Sequence, residues 1–275
     1  MPFKVVFFIF LLGVSGVSIT ALLSYRLFVS VRRGGFWPRF RDGLIFLLFA
    51  ALALSLSGLF LPCFPLFGEP FCGGSVLQNK IALTFDDGPN EPFTSQILDI
   101  LKAYEVPATF FLVGKHVVQY PETVERMVRE GHAIGNHTWS HHPLVWKGVV
   151  EIEGEIEGAE KAMQPLIPVP SKLFRSPHGW KNPFLVEALD KRGYRLIGWS
   201  RGVWDTDRPS KEVLFRRLTR GIKGGEIILL HDGDGDADQL QADRSATVAV
   251  LPEVIAYYRR LGFQFVTIPD MGPTS

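Results

Sequence analysis

The chain has 275 residues, of which 47% are hydrophobic and 21% charged, with Lys+Arg 29 against Asp+Glu 28. A composition this apolar excludes an intrinsically disordered chain, and a formal net charge of +1 offers no global positive field to a phosphate backbone, so no nucleic-acid partner is expected. The length suffices for a sizeable core, and the hydrophobic excess is concentrated at the front.

No charged residue occurs from Val5 to Tyr25, and none from Gly43 to Gly68. Each run reaches the roughly 20 apolar residues that a membrane-crossing helix needs. Two spans, about 5–25 and 43–68, are therefore predicted, with membrane lipid as their partner. The loop between them, 26–42, carries Arg26, Arg32, Arg33, Arg39 and Arg41 against the single acid Asp42. Short Arg-rich loops stay cytoplasmic, which puts both termini and everything after Glu69 in the periplasm or outside the cell. A cleaved signal peptide behind Lys4 is the alternative for the first run, but no small-x-small site follows it. Cys63 and Cys72 fall at the outer end of the second span, where oxidation is permitted. Spacing alone leaves open whether they form a disulfide or remain two small apolar side chains.

From Lys80 onward short apolar runs alternate with amphipathic stretches. Strands are predicted at 80–85, 108–113, 172–175, 194–199, 226–231 and 263–268, with a shorter one near 132–134. Helices are predicted at 94–104, 122–130, 149–163, 183–191, 211–220 and 246–260. Gly131, Gly193, Gly221 and Gly262 sit just past helix ends, as left-handed C-caps require. Strand-helix-strand repetition implies a mostly parallel sheet covered by helices, open or closed into a barrel. The chain reads as a membrane anchor over 1–79 and one α/β domain over 80–275.

In such folds the active site forms at the carboxyl ends of the strands, and the polar residues of this chain gather there. Asp86 and Asp87 follow the first strand in TFDDGPN. Two adjacent acids exceed what a turn needs, and a glycosidase pair is disfavoured because neighbouring side chains diverge. In GNHTWSHHPL, His137 and His141 are four residues apart and would share one face if the stretch were helical. Thr138 stands where a zincin protease has its glutamate, so the base must come from another segment. Two histidines and one carboxylate complete a three-ligand catalytic metal set, in which either aspartate could ligate while the other acts as base. His142 reads as a neighbour rather than a ligand. Arg175 ends a strand in FRSPHGW, and Trp199, Trp204 and Asp205 lie in GWSRGVWDTD. His231 leaves the most hydrophobic strand, in EIILLHDG, and is a candidate general acid. Asp232, Asp234, Asp236 and Asp238 read as a solvated acidic loop, because Ala237 and the missing glutamate argue against a calcium loop. Arg201, Asp207 and Arg208 could read substrate hydroxyls or merely pair on the surface.

Taken together, TFDDGPN, ATFFLVG, GHAIGNHTWSH and LLHDG, in that order over Lys80 to Asp270, resemble the polysaccharide deacetylase family. The resemblance implies a distorted (β/α) barrel of about seven parallel strands and metal-dependent removal of N-acetyl groups from the amino sugars of an acetylated polymer. It implies Asp87, His137 and His141 as metal ligands, Asp86 as general base and His231 as general acid. Arg175 would hold the base and Asp205 would orient the acid. Leu229 would line the acetyl pocket, and the backbone N–H of His178 would be the oxyanion donor. Trp199 and Trp204 are further substrate-binding candidates. Two departures touch the pocket wall and sugar platform: the family usually has an aromatic at the His178 position and a tryptophan at the Thr206 position. Zinc suits the implied donor set first, with cobalt, nickel or iron also compatible. Other readings are an anchored sugar-binding or assembly module without turnover, and a deacylase of O-acetyl esters.

Overall fold

A computed structural model of the chain describes residues 36–169, 171–235 and 242–272. The expected span at 5–25, together with Arg26, Arg32 and Arg33, lies outside the described residues. Helix α1 runs over Phe36–Phe60. Residues 36–42, assigned above to the loop, are helical. The helix ends earlier than expected, since residues 61–68 leave it at Pro62 and Pro65, which cannot extend the hydrogen-bond ladder. Within it Gly43–Phe60 is 18 residues long, apolar enough to cross a membrane, and only 6% buried. A soluble-core helix of that composition would be covered, whereas Leu47 and Leu48 stand 63% and 62% exposed. It is the one helix of this kind among the described residues; two spans are not seen.

The remaining elements alternate as expected: β1 (Lys80–Asp86), α2 (Phe93–Ala103), β2 (Thr109–Leu112), α3 (Gly114–Gln119), α4 (Pro121–Arg129), β3 (Ala133–Asn136), α5 (Val149–Met163), β4 (Leu173–Phe174), α6 (Pro183–Arg192), β5 (Arg195–Leu196), β6 (Arg201–Gly202), α7 (Lys211–Thr219), β7 (Glu226–His231), α8 (Ser245–Arg260) and β8 (Gln264–Phe265). Every strand pairing is parallel, in the order β5-β4-β3-β2-β1-β7-β6. On one edge β1 pairs with β7 from Ile81 to Asp86; its other edge is shared by β8, at Lys80 and Ile81, and β2, from Thr84. Residues 197–200 alone separate the two end strands of this path, so the sheet is curled. Across the gap Phe71 bridges to Ile197 and Gly73 to Glu226. The result is a curled parallel half-barrel rather than a closed (β/α) barrel. Strand β6 and helix α3 were not anticipated, and β4, β5 and β8 are shorter than the apolar runs suggested. All four expected glycine caps have positive φ.

Two-residue alternation along the central strands separates the faces. Ile81, Leu83 and Phe85 of β1, Phe110 and Leu112 of β2, and Ile228 and Leu230 of β7 enter the large core beneath the helices. Ala82, Phe111 and Ile227 belong to a small second core on the concave side. The same period directs Thr84, Asp86, Leu229 and His231 to the concave side, and the register sets Asp86 directly beside His231.

Candidate active site

Asp86 closes β1, is 3% exposed, and meets a cation built into the fold. Arg175 follows β4 and is fully buried. It donates from Nη1 to Asp86 Oδ1 at 2.6 Å and to Thr84 Oγ1 at 2.8 Å, and from Nη2 to the Gly198 carbonyl at 3.0 Å. Its guanidinium lies 4.1 Å above the Phe111 ring, which holds the fork in one plane. It is interior because β4 delivers it onto the concave face, where it holds Asp86.

Asp87 has a left-handed backbone, φ 75°, which turns its carboxylate away from that of Asp86. Asp87 Oδ1 lies 3.2 Å from His137 Nε2 and 3.1 Å from His141 Nε2, and one ligand atom from each of the three residues falls within 4.8 Å of the others. The two histidines do not share a helix face. They lie in a loop after β3 in which Asn136 Oδ1 accepts from the Thr138 N–H and Thr138 Oγ1 accepts from the His141 N–H, with Thr138 and His141 at φ 72° and 59°. His137 Nδ1 lies 2.7 Å from the Arg175 carbonyl and His141 Nδ1 lies 2.7 Å from the Gly235 carbonyl. A carbonyl can only accept, so both imidazoles donate from Nδ1 and point the Nε2 lone pair at Asp87. Asp87 Oδ1 is itself buried without a donor. Three converging lone-pair atoms in a buried pocket are what a divalent cation relieves, so the residues fit a metal. A proton on Nε2 would serve the same end as a cation: burial by itself raises the Asp87 carboxyl, whereas protonated His141 and His137 hold it well below the usual carboxylate range.

His231 ends β7 with its ring Nδ1 2.8 Å from Asp205 Oδ1 and its backbone N–H donating to Asp205 Oδ2 at 2.8 Å. Thr247 also donates to Asp205 Oδ2, at 3.0 Å. Burial opposes protonation of His231, but Asp205, with Asp87 and Asp86 beyond, pushes its pKa up to about 9. His178, φ 59°, forms the turn after Arg175, and its ring packs 5.0 Å from His141. Burial pushes His178 down to about 3, so its ring stays neutral. Leu229 is 7% exposed, beside Thr84 in the register. Trp199 is half-buried, 5.7 Å from the Arg175 guanidinium, while Trp204 is 47% exposed immediately before Asp205.

The acidic run differs from the solvated loop expected of it. Asp232 is fully buried: Thr94 Oγ1 donates to its Oδ2 at 2.7 Å, and its N–H donates to the Asp86 carbonyl at 3.1 Å. Burial, reinforced by Asp87 and Asp86 against the Thr94 hydrogen bond, pushes its pKa up to about 7. Gly233 follows against the Asp87 carbonyl, where any Cβ would collide. Asp236 and Asp238 lie outside the described residues. His142 turns outward onto Ser140 Oγ at 2.7 Å. Arg201 is structural, forking onto Glu226 and reaching the carbonyls of Arg217, Arg220 and Gly221, while Asp207 and Arg208 are exposed. Sequence reasoning passed over His116, whose Nδ1 donates to the Asp87 carbonyl at 2.7 Å, and Thr84, Thr94 and Thr247. The only signal for His116 was its place three residues after a strand in ATFFLVGKH.

A family profile described as polysaccharide deacetylase matches residues 73–197. A peptidoglycan-N-acetylglucosamine deacetylase of Bacillus cereus is 35% identical over 199 residues, 70% of this chain and 88% of that protein. The chain belongs to the polysaccharide deacetylase family. A chitooligosaccharide deacetylase of Sinorhizobium fredii is 34% identical over 196 residues, 70% of this chain and 91% of that protein. Among solved structures, the Bc1960 peptidoglycan N-acetylglucosamine deacetylase superposes with a TM-score of 0.68 at 32% identity, covering 74% of this chain and 92% of that one. As a polysaccharide deacetylase family member the protein is a hydrolase.

Proposed function

We propose that the protein removes N-acetyl groups from the amino sugars of a cell-envelope or extracellular polysaccharide, the substrate type named for its peptidoglycan and chitooligosaccharide deacetylase relatives. The observation that carries this reading is the meeting, at one end of β1, of a buried Asp-His-His group, an arginine-held carboxylate and an aspartate-held histidine. Asp87, His137 and His141 would hold a divalent cation, zinc by preference, with cobalt, nickel or iron also suited to two nitrogens and an oxygen. Such a cation lowers the pKa of water from about 15.7 toward roughly 7 and polarises an acetamide carbonyl.

The chain's own residues divide the proton transfers. Asp86 has Oδ1 engaged by Arg175, and its carboxylate accepts the proton of the attacking water. The His178 N–H donates to the oxyanion that develops on the carbonyl oxygen. His231 gives up the proton on Nε2 to the departing amine, a poor leaving group unless protonated, while Asp205 stabilises the imidazolium through Nδ1. The proton gained by Asp86 balances the one lost by His231, and the products are acetate and a free amine. Leu229 walls the acetyl pocket, Trp204 offers an exposed aromatic face to a sugar, and Trp199 backs the Arg175 side of the site. The chemistry sits in 80–275, carried on the anchor 1–79, and α1 crosses a membrane with the catalytic part outside the cytoplasm.

The test is acetate release by the metal-loaded protein from peptidoglycan, chitooligosaccharide and exopolysaccharide, beside an O-acetylated glycan. Faster release from N-acetyl substrates is the expected result. Preference for the ester would replace the amide by an ester as the natural bond, and one bound metal without any release would leave a binding module.

A further inference from the structure

We infer that the catalytic domain is seated on the bilayer that α1 crosses, and that the site is thereby confined to N-acetylated sugars carried close to the membrane on a lipid anchor. This rests on the membrane reading of α1 and on the proposed deacetylation.

The apolar segment Gly43–Phe60 has 18 residues, about 27 Å of helix at a rise of about 1.5 Å, against a hydrocarbon layer of about 30 Å. There is no slack, so Phe60 has to lie at the edge of the hydrocarbon. No free linker follows it. Lys181, 1% exposed, donates from its backbone N–H to the Leu59 carbonyl at 2.9 Å and from Nζ to the carbonyls of Leu61 at 2.5 Å and Pro62 at 3.3 Å. The Leu59 carbonyl lies in the last turn of α1 and those of Leu61 and Pro62 directly after it, at the helix end that leaves acceptors unfilled and favours a cation. The Cys63–Cys72 disulfide then ties the next segment to Phe71, which bridges into the sheet.

Around this junction the catalytic domain presents apolar side chains to the outside. The Phe60 ring lies 6.0 Å from Trp146 and 5.2 Å from Trp180. Trp146 is 73% exposed, and Phe184 and Leu61 are 50% and 47% exposed. Asn182 Nδ2 holds the carbonyls of Leu144, Val145 and Lys147, which joins the Trp146 turn to the start of α6 that bears Phe184. Exposed aromatics around the end of a membrane helix match the interfacial belt, where an apolar ring with a polar edge is most stable. The bilayer is the one surface that continuity with α1 brings to this collar.

The same rings lead to the metal site. Successive centroid distances of 5.2, 4.9 and 5.0 Å link Phe60, Trp180, His178 and His141, so the site lies within about 15 Å of the hydrocarbon edge. The headgroup layer takes roughly 5–8 Å of that on each side of a membrane. The first sugars above the headgroups fall within reach, while a strand far from the membrane does not.

The experiment uses the full chain in phospholipid vesicles with chitotetraose in three forms: free, coupled to a lipid through a short spacer, and coupled through a long poly(ethylene glycol) spacer. At equal surface density the short-spacer form should be deacetylated roughly tenfold faster than the long-spacer form, since effective concentration falls as a tether lengthens. Trp146→Ala should shrink that advantage and leave turnover of free chitotetraose unchanged. Equal rates on both anchored forms would overturn the inference. Seating is also read without turnover, by quenching of tryptophan fluorescence with brominated lipids: W146F should remove part of the quenched signal, and unchanged quenching overturns the seating. Absence of acetate from every form, with quenching as expected, would instead remove the proposed activity and leave the seating intact.

Discussion

Asp86 and Asp87 are chain neighbours placed in opposite surroundings. Arg175 grips the first, whereas the left-handed backbone of the second swings it onto two imidazole lone pairs. Removing one charge from each therefore has different consequences. Asp86→Asn should retain stoichiometric metal and lose about 10²–10⁴ in kcat, while Asp87→Ala or His137→Ala should lose metal and activity together. Metal content beside acetate release separates the two cases, and a near-normal rate in Asp86→Asn would take the base away from that position. The acid is equally exposed to test. His231 is held protonated to about pH 9 by Asp205, so an acid in this role fails as pH rises through its pKa. Asp205→Asn deletes the charge that raises it and should move the alkaline limb of kcat to lower pH. A bound cation lowers both limbs alike, so their separation survives; superimposed profiles would deny Asp205 this role. The groups that donate were legible because carboxylates and imidazoles at strand ends are chemically conspicuous. Their supports were not: His116 meets the Asp87 carbonyl from 29 residues away, and Thr94 meets Asp232 from 138. Nothing local in a threonine announces such a contact. Asp232 misled because an alternating acidic run suggests solvent, whereas two backbone N–H bonds to Asp86 fold its start inward.

Elements were legible in proportion to how far their periodicity ran. Strands β1 and β7 are buried almost end to end, and continuous apolar runs mark such parallel strands. β4, β5 and β8 keep two paired residues each, because curling the sheet peels the ends of outer strands from their neighbours. The His137–His141 spacing suited a helix, yet local side-chain bonds from Asn136 and Thr138 offered the backbone a different partner and won. Asn182 is a comparable device at the start of α6. Its Oδ1 accepts from the Leu185 N–H at 2.9 Å while its Nδ2 serves three carbonyls of the Trp146 turn. Asn182→Ala loses the cap and strands buried acceptors, a cost of about 2–3 kcal/mol. Thermal unfolding should show it as a fall in Tm of several degrees, with kcat on a soluble oligosaccharide little changed. An unaltered Tm would mean that water replaces the side chain at every acceptor.

For the whole molecule the decisive asymmetry is which side of the membrane each end of α1 occupies. Arg39 and Arg41 lie near its start, and Glu69 is the first charged residue beyond its end. In the proposed topology, positive charge retained in the cytoplasm sends the C-terminal end of the helix outward. The Cys63–Cys72 disulfide, just past that end, persists where thiols are oxidised rather than in a reducing cytosol. Charge and redox chemistry are independent, and both support the proposed placement of the catalytic part on the outer side. An alkaline phosphatase fused after Ser275 should then be active, since it needs an oxidising compartment, while a green fluorescent protein exported there in unfolded form should be dark. Maleimide should leave Cys63 and Cys72 unlabelled until a reductant is added. A bright fluorescent fusion together with free thiols would reverse the orientation, and the lipid-carried sugar would then have to be met on the cytoplasmic face.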